Sequence, residues 1–117
     1  MNVETFRNYC LAKPFVTEGF PFDETTLVFK VDGKMFALCD VDEFTGINLK
    51  CDPERAIELR ESYSGVVPGY HMNKQHWNTV RVDMDVEDQL IFDLTDHSYE
   101  LVFASLTKKR RNELQAG

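Results

Sequence analysis

Long apolar runs are missing from this 117-residue chain; none approaches the ~20 residues that a membrane-spanning helix needs. The N-terminus, Met-Asn-Val-Glu-Thr, also lacks the basic-then-apolar form of a secretory leader, so a cytoplasmic protein without membrane attachment is expected. Cysteine is sparse. Cys10, Cys39 and Cys51 are odd in number, widely spaced and without a Cys-x-x-Cys pair, and they read as reduced small hydrophobes rather than a disulfide frame or a metal site. There is no Gly-rich phosphate loop, no dinucleotide fingerprint and no Gly-x-Ser-x-Gly around a nucleophile. Neither a cofactor nor covalent catalysis is therefore expected. Repeats, low-complexity runs and linkers are absent too, which leaves residues 1–117 as one domain large enough to bury a core.

Positive charge is short over most of the chain. Residues 1–106 carry nine Lys/Arg against 19 Asp/Glu, whereas 107–117 carry four against one, for a formal net charge of -7 overall. An acidic body repels a phosphate backbone, so any nucleic-acid binding has to use a local patch.

The local signals run as follows. Asn2 can cap a helix from Val3 to Ala12, with Glu4 in its first turn and Val3, Phe6, Tyr9 and Cys10 on one face, ended by Lys13-Pro14. Phe15, Phe20 and Phe22, interrupted by Pro21, predict an edge strand or extended arm. Between Thr26 and Asp40, two β-prone runs flank Asp32-Gly33, the dipeptide of a two-residue hairpin turn. The register this implies pairs Val31 with Lys34, Phe29 with Phe36 and Leu27 with Leu38. Leu27, Phe29, Phe36 and Leu38 would then face helices, with Val28, Met35, Ala37 and Cys39 opposite. Thr45 to Lys50 reads as a further strand. Asp52-Pro53-Glu54 starts a helix that Gly65 should stop. Trp77 to Asp83 alternates as a strand, with Trp77, Thr79 and Arg81 on one side. A long helix is expected from Asp85 to about Ser105, striped by Val86, Leu90, Leu94, His97 and Leu101, and a short one from Thr107 to Gln115. This order predicts an α+β domain: two layers, with an antiparallel sheet covered by helices mainly on one face.

One stretch stands apart. Val67 to Val80 holds the only Trp, two of the three His, two Asn, one Lys and no acid. Polar groups and large aromatics in an irregular segment are costly to order unless they are bonded or stacked upon, so this segment is the focus for function. His71 and His76 are five apart with no carboxylate between them, which is not an obvious chelate. Two explanations stay open: His71, Asn73 and Asn78 satisfy backbone groups while Trp77 fills core, or they recognise a ligand. For His97 the commoner explanation is a core histidine bonded to a backbone carbonyl.

The residues Pro68-Gly69-Tyr70-His71-Met72-Asn73-Lys74 and His76-Trp77-Asn78-Thr79-Val80 resemble a pattern of the MmcQ/YjbR family of small bacterial proteins. So do Thr26 to Val31, Lys34 to Ala37, Asn48 to Pro53, and Asp96 to Val102 before Lys108-Lys109-Arg110-Arg111. The resemblance covers nearly the whole chain. It implies a bent antiparallel sheet similar to frataxin-like (CyaY-like) and secretion-chaperone-like arrangements. It also implies DNA as a ligand, since the family carries a DNA-binding label by fold comparison.

The first functional expectation is thus a non-enzymatic, monomeric binding module for DNA. Its candidate residues are Tyr70, His71, Asn73, Lys74, Trp77, Asn78 and Arg81, with the cluster Lys108, Lys109, Arg110 and Arg111. The cluster has a plainer role as a complement to acids on the protein's own body. The second expectation is a protein- or peptide-interaction adaptor that uses the sheet face around Val28, Met35 and Ala37. A small-molecule protein or enzyme centred on His71 is the third. No metal site is expected, and the acids Glu87, Asp88 and Asp23-Glu24 read as a solvated face.

Overall fold

The computed structural model describes residues 1–70 and 72–117. Helix α1 (Val3–Leu11) leads into strand β1 (Val16–Gly19), then β2 (Thr26–Val31), β3 (Lys34–Asp40) and β4 (Gly46–Lys50). Helix α2 (Pro53–Ser62), strands β5 (Val66–Pro68) and β6 (Trp77–Arg81), and helices α3 (Asp88–Ala104) and α4 (Lys108–Ala116) complete the chain. The strands form one antiparallel sheet in the order β1-β2-β3-β4-β6-β5. The α+β expectation holds.

The two caps anticipated from sequence form as expected: the Asn2 side chain accepts the Thr5 N–H at 2.8 Å, and Asp52 accepts that of Arg55 at 3.2 Å. Thr107, read as the first residue of the last helix, caps it instead by accepting the Arg110 N–H at 3.1 Å. At the hairpin, Asp32 (φ 50°) and Gly33 (φ 79°) both take the left-handed backbone that this turn requires. One face of the sheet meets α1, α2 and α3 over a core that includes Phe6, Phe29, Phe36, Ile47, Ala56, Ile91 and Leu94. Among the described residues, no helix residue enters the smaller cluster on the other face, where Val28, Leu38 and Trp77 pack with Met35 and Met72.

Four expectations need correction. The β2–β3 register begins as read, with Val31 opposite Lys34 and Lys30 opposite Met35, but shifts by one at Phe29/Lys30, so that Phe29 pairs with Ala37, Val28 with Leu38 and Leu27 with Cys39. Phe36 and Ala37 together oppose Phe29, which is a β-bulge. Leu38 therefore lies on the open face with Val28, while Ala37 and Cys39 join the helix-covered core. The bulge is tied down by Ser98 of α3, whose buried hydroxyl donates to the Phe36 carbonyl at 2.5 Å and accepts the Lys50 N–H at 2.9 Å.

Helix α2 does not end on a left-handed glycine. It closes at Tyr63 in extended backbone. Gly65 serves a close approach instead: a Cβ there would lie 2.9 Å from Asp85 Oδ1. The Asp85 carboxylate accepts the Ser64 and Gly65 N–H groups at 2.8 and 2.7 Å, bonds that hold its pKa below the ordinary range. Asp85 is thereby engaged by the α2–β5 connection, so α3 starts three residues later than its periodicity implies. Strand β6 likewise stops at Arg81, two residues early.

Candidate binding groove

The open face is built from alternate residues of the central strands. Across it run Val28, Leu38, Asn48, Thr79 and Val67, each aligned with the next by strand register. Beside this row, Gly46 faces Arg81. Above it returns the β5–β6 connection, the segment singled out by composition.

That segment is held by its own polar side chains. Asn73 Oδ1 accepts the N–H groups of Gln75 and His76 at 2.9 and 3.3 Å, and Lys74 Nζ donates to the Gly69 carbonyl at 3.1 Å. The Gly69 N–H reaches the Trp77 carbonyl at 2.9 Å, and a Cβ on Gly69 would fall 2.8 Å from that of Trp77. Arg60 of α2 reaches in from the helix side. Its Nε donates to Asn78 Oδ1 at 2.7 Å, and its Nη2 donates to the carbonyls of Lys74 and Trp77. Asn78 is buried and donates onward to the Ala56 carbonyl at 3.4 Å. The structural explanation thus applies to Asn73, Lys74 and Asn78, and Trp77 fills the smaller core. His71 lies outside the described residues.

Between the segment and the sheet lies a groove of about 950 Å³. Leu38, Met35 and Met72 give it an apolar lining, and Asn48, Thr79 and Arg81 supply polar atoms. The Thr79 hydroxyl donates to Asn48 Oδ1 and accepts the Tyr70 N–H at 3.0 Å. Asn48 Nδ2 has no partner among the described residues. Arg81 Nε donates to the Thr45 carbonyl at 3.3 Å and stands 3.9 Å from Asp83, which leaves both Nη groups unpaired among the described residues. Two carboxylates also line the groove. Asp23 accepts four hydrogen bonds from Thr25 and Thr26, which lower its pKa, and Asp40 accepts the N–H groups of Asp42 and Glu43.

Of the residues anticipated from sequence, Tyr70, Asn73 and Arg81 line the groove and Trp77 packs beneath the segment that forms its wall. Lys74 and the cluster Lys108 to Arg111 do not line it. Arg110 forks onto Asp32 at the hairpin turn, at 2.9 and 2.8 Å, and pairs with Glu113 at 3.1 Å. Sequence reasoning missed Asn48, Met35 as part of a groove, Phe22 and above all Arg60, which carried no signal beyond its place in a helix.

The other reactive groups are quiet. His97 is half-buried and its Nε2 accepts the Asp52 N–H at 3.2 Å, rather than the ring donating to a carbonyl as expected. Burial, then the Arg55 charge, lowers its pKa, which favours the neutral imidazole. Burial pushes the Cys39 thiol up to about 12 and raises Cys10 and Cys51 as well. Among the described residues no group of three or more His, Cys, Asp or Glu could hold a metal ion, and no helix is long and apolar enough to cross a membrane.

Comparison with known proteins gives a consistent result. The YjbR family model matches residues 11–101. The uncharacterized protein YbdF of Escherichia coli O157:H7 is 37% identical, over 97% of this chain and 94% of its own. The uncharacterized protein YjbR of Escherichia coli K12 is 34% identical, over 97% and 98%. The crystal structure of Deinococcus radiodurans protein DR2400, a DUF419 domain, superposes with a TM-score of 0.92 at 42% identity, covering 97% of this chain and 88% of that one.

Proposed function

The chain belongs to the YjbR family, and from that premise we propose that it is a non-enzymatic binding module whose open sheet face holds a small organic ligand. One observation carries the reading: a groove of about 950 Å³ with an apolar, methionine-bearing lining, on the sheet face that no helix covers. Pockets for small molecules have this size and this mix of apolar walls with a few polar atoms. Methionine side chains adapt to varied ligand shapes. Among the described residues all three thiols are buried and have raised pKa values, Cys39 up to about 12, so none is an activated nucleophile, which supports binding without chemistry. Three buried free thiols support a reducing, cytoplasmic setting.

Two other occupants fit less well. Nucleic acid would meet Asp23 and Asp40 in the groove, while Arg110 is already paired with acids of the body. A flat protein partner would need an exposed apolar sheet face, yet Val28 and Leu38 are buried and Ala37 points to the helices.

The test is an NMR titration of labelled protein with the neutral probe 2-naphthylacetamide. Saturable shifts at the Met35 and Met72 methyls and the Trp77 indole, with a Kd on the order of 1 mM or tighter, are expected for a fragment of this size. Absence of saturation at these residues overturns the groove as the binding site.

A further inference from the structure

We infer that the groove selects aromatic carboxylic acids, with the carboxylate held by Arg81 and Asn48 and the ring placed between Phe22 and Tyr70. This deepens the binding reading above and rests on it.

The polar end follows from donors left over once the protein's own bonds are formed. Arg81 on β6 and Asn48 on β4 lie on the same sheet face and are diagonal neighbours, because Gly46 is opposite Arg81 and Asn48 is opposite Thr79. Thr45 takes only Nε of the guanidinium, and the remaining fork is a bidentate match for a carboxylate. The neighbouring Asp83 is 3.9 Å away and exposed, a weak competitor. Asn48 has its oxygen fixed by the Thr79 hydroxyl, so its remaining free group is a donor. Gly46 carries no side chain to cover the arginine stem. Leftover donors on one patch of a groove fit an acceptor with two oxygens.

The apolar end follows from where the aromatics are. Phe22 comes from the β1–β2 connection and Tyr70 from the β5–β6 connection, which are at opposite edges of the sheet, yet both line this groove. They are 63% and 69% exposed. Large, well-exposed rings on both sides of an apolar groove fit a planar group placed between them.

The acids of the groove set the orientation. Both oxygens of Asp23 are engaged by Thr25 and Thr26, whereas Asp40 uses one oxygen and leaves the other unbonded among the described residues. By strand order Asp40 lies on β3, with β4 between it and Arg81 on β6. A monoanion therefore binds with its charge at the β6 side and its ring away from it.

The experiment compares three probes of one shape on the full chain by the same NMR titration: 2-naphthylacetate, 2-naphthylacetamide and 2-naphthylmethylamine. The expected result is acetate binding about tenfold tighter than the amide, a ratio that falls to near one in Arg81→Gln and is partly kept in Arg81→Lys. Equal binding of acetate and amide overturns the carboxylate inference and leaves the groove reading standing. Tighter binding of the amine overturns it too, with Asp40 then the dominant charge. No saturable shift with any of the three overturns both. The wild-type comparison needs no variant, so a misfolded mutant does not obscure the outcome.

Discussion

Arg60 Nε donates to Asn78 Oδ1 at 2.7 Å, across the junction between α2 and β6, and the same guanidinium caps two carbonyls of the segment beside the groove. The groove wall is thus fastened from the opposite side of the sheet. Removing the arginine leaves the buried Asn78 amide oxygen and the Lys74 carbonyl without their donor, while the Trp77 carbonyl keeps the Gly69 N–H. Arg60→Ala is expected to cost about 1–3 kcal/mol in urea unfolding, with a red-shifted Trp77 emission as the segment loosens. Unchanged stability and emission would show that the segment holds its place without α2.

Ser98 calls for a parallel prediction at the bulge. Its hydroxyl satisfies the Phe36 carbonyl and the Lys50 N–H, and it is fully buried. Ser98→Ala strands both backbone groups where water does not reach, and a loss of about 1–3 kcal/mol follows. Hydrogen exchange at the Lys50 amide should rise in the variant relative to its neighbours on β4. If protection there is unaltered, the bulge is maintained by strand pairing alone.

These two residues also explain what the sequence could and could not disclose. Signals that act within a few residues were legible: Asp32-Gly33 gave the turn, Asn2 and Asp52 gave two helix starts, and alternation placed Trp77, Thr79 and Arg81 on one face. The bulge was not legible, because it depends on a serine 62 positions from Phe36. Asp85 looked like the first turn of α3, yet the N–H groups of Ser64 and Gly65 captured it. The site divides in the same way. Composition singled out the 67–80 segment, but its asparagines and lysine fold the segment, while the groove is also lined by Asn48 and Phe22 from distant strands and loops.

His97 makes stability depend on pH in a defined direction. Burial and the Arg55 charge lower its folded pKa below the ordinary 6.5, against weaker opposing effects of Asp52 and Glu100. Below pH 6.5 the unfolded chain takes up a proton more readily than the folded one, so stability rises with pH in that window. The contribution is complete above pH 6.5 and is lost as pH falls from there toward the folded value. His97→Gln should flatten the unfolding midpoint between pH 7 and the onset of carboxylate protonation, around pH 4–5. An equally steep profile in the variant would assign the dependence to other groups.

Nucleic-acid binding through the C-terminal cluster gives the sharpest contrast with the groove reading. Arg110 is held by Asp32 and Glu113, so Lys108, Lys109 and Arg111 are the cations of that cluster left to meet phosphates, on a chain of net charge -7. Three phosphate contacts correspond to a salt slope of about -3 for duplex DNA, which leaves little affinity at physiological salt. Titrating Trp77 fluorescence with short single- and double-stranded DNA should therefore give no saturable change at ~200 mM salt and at most a weak one at ~50 mM. Weak low-salt binding should be lost in Lys108→Ala/Lys109→Ala and unaffected by Tyr70→Ala, because these lysines do not line the groove. The opposite pattern, tight binding at both salts that depends on Tyr70 and Arg81, would make the groove a nucleic-acid site and displace the small-molecule reading.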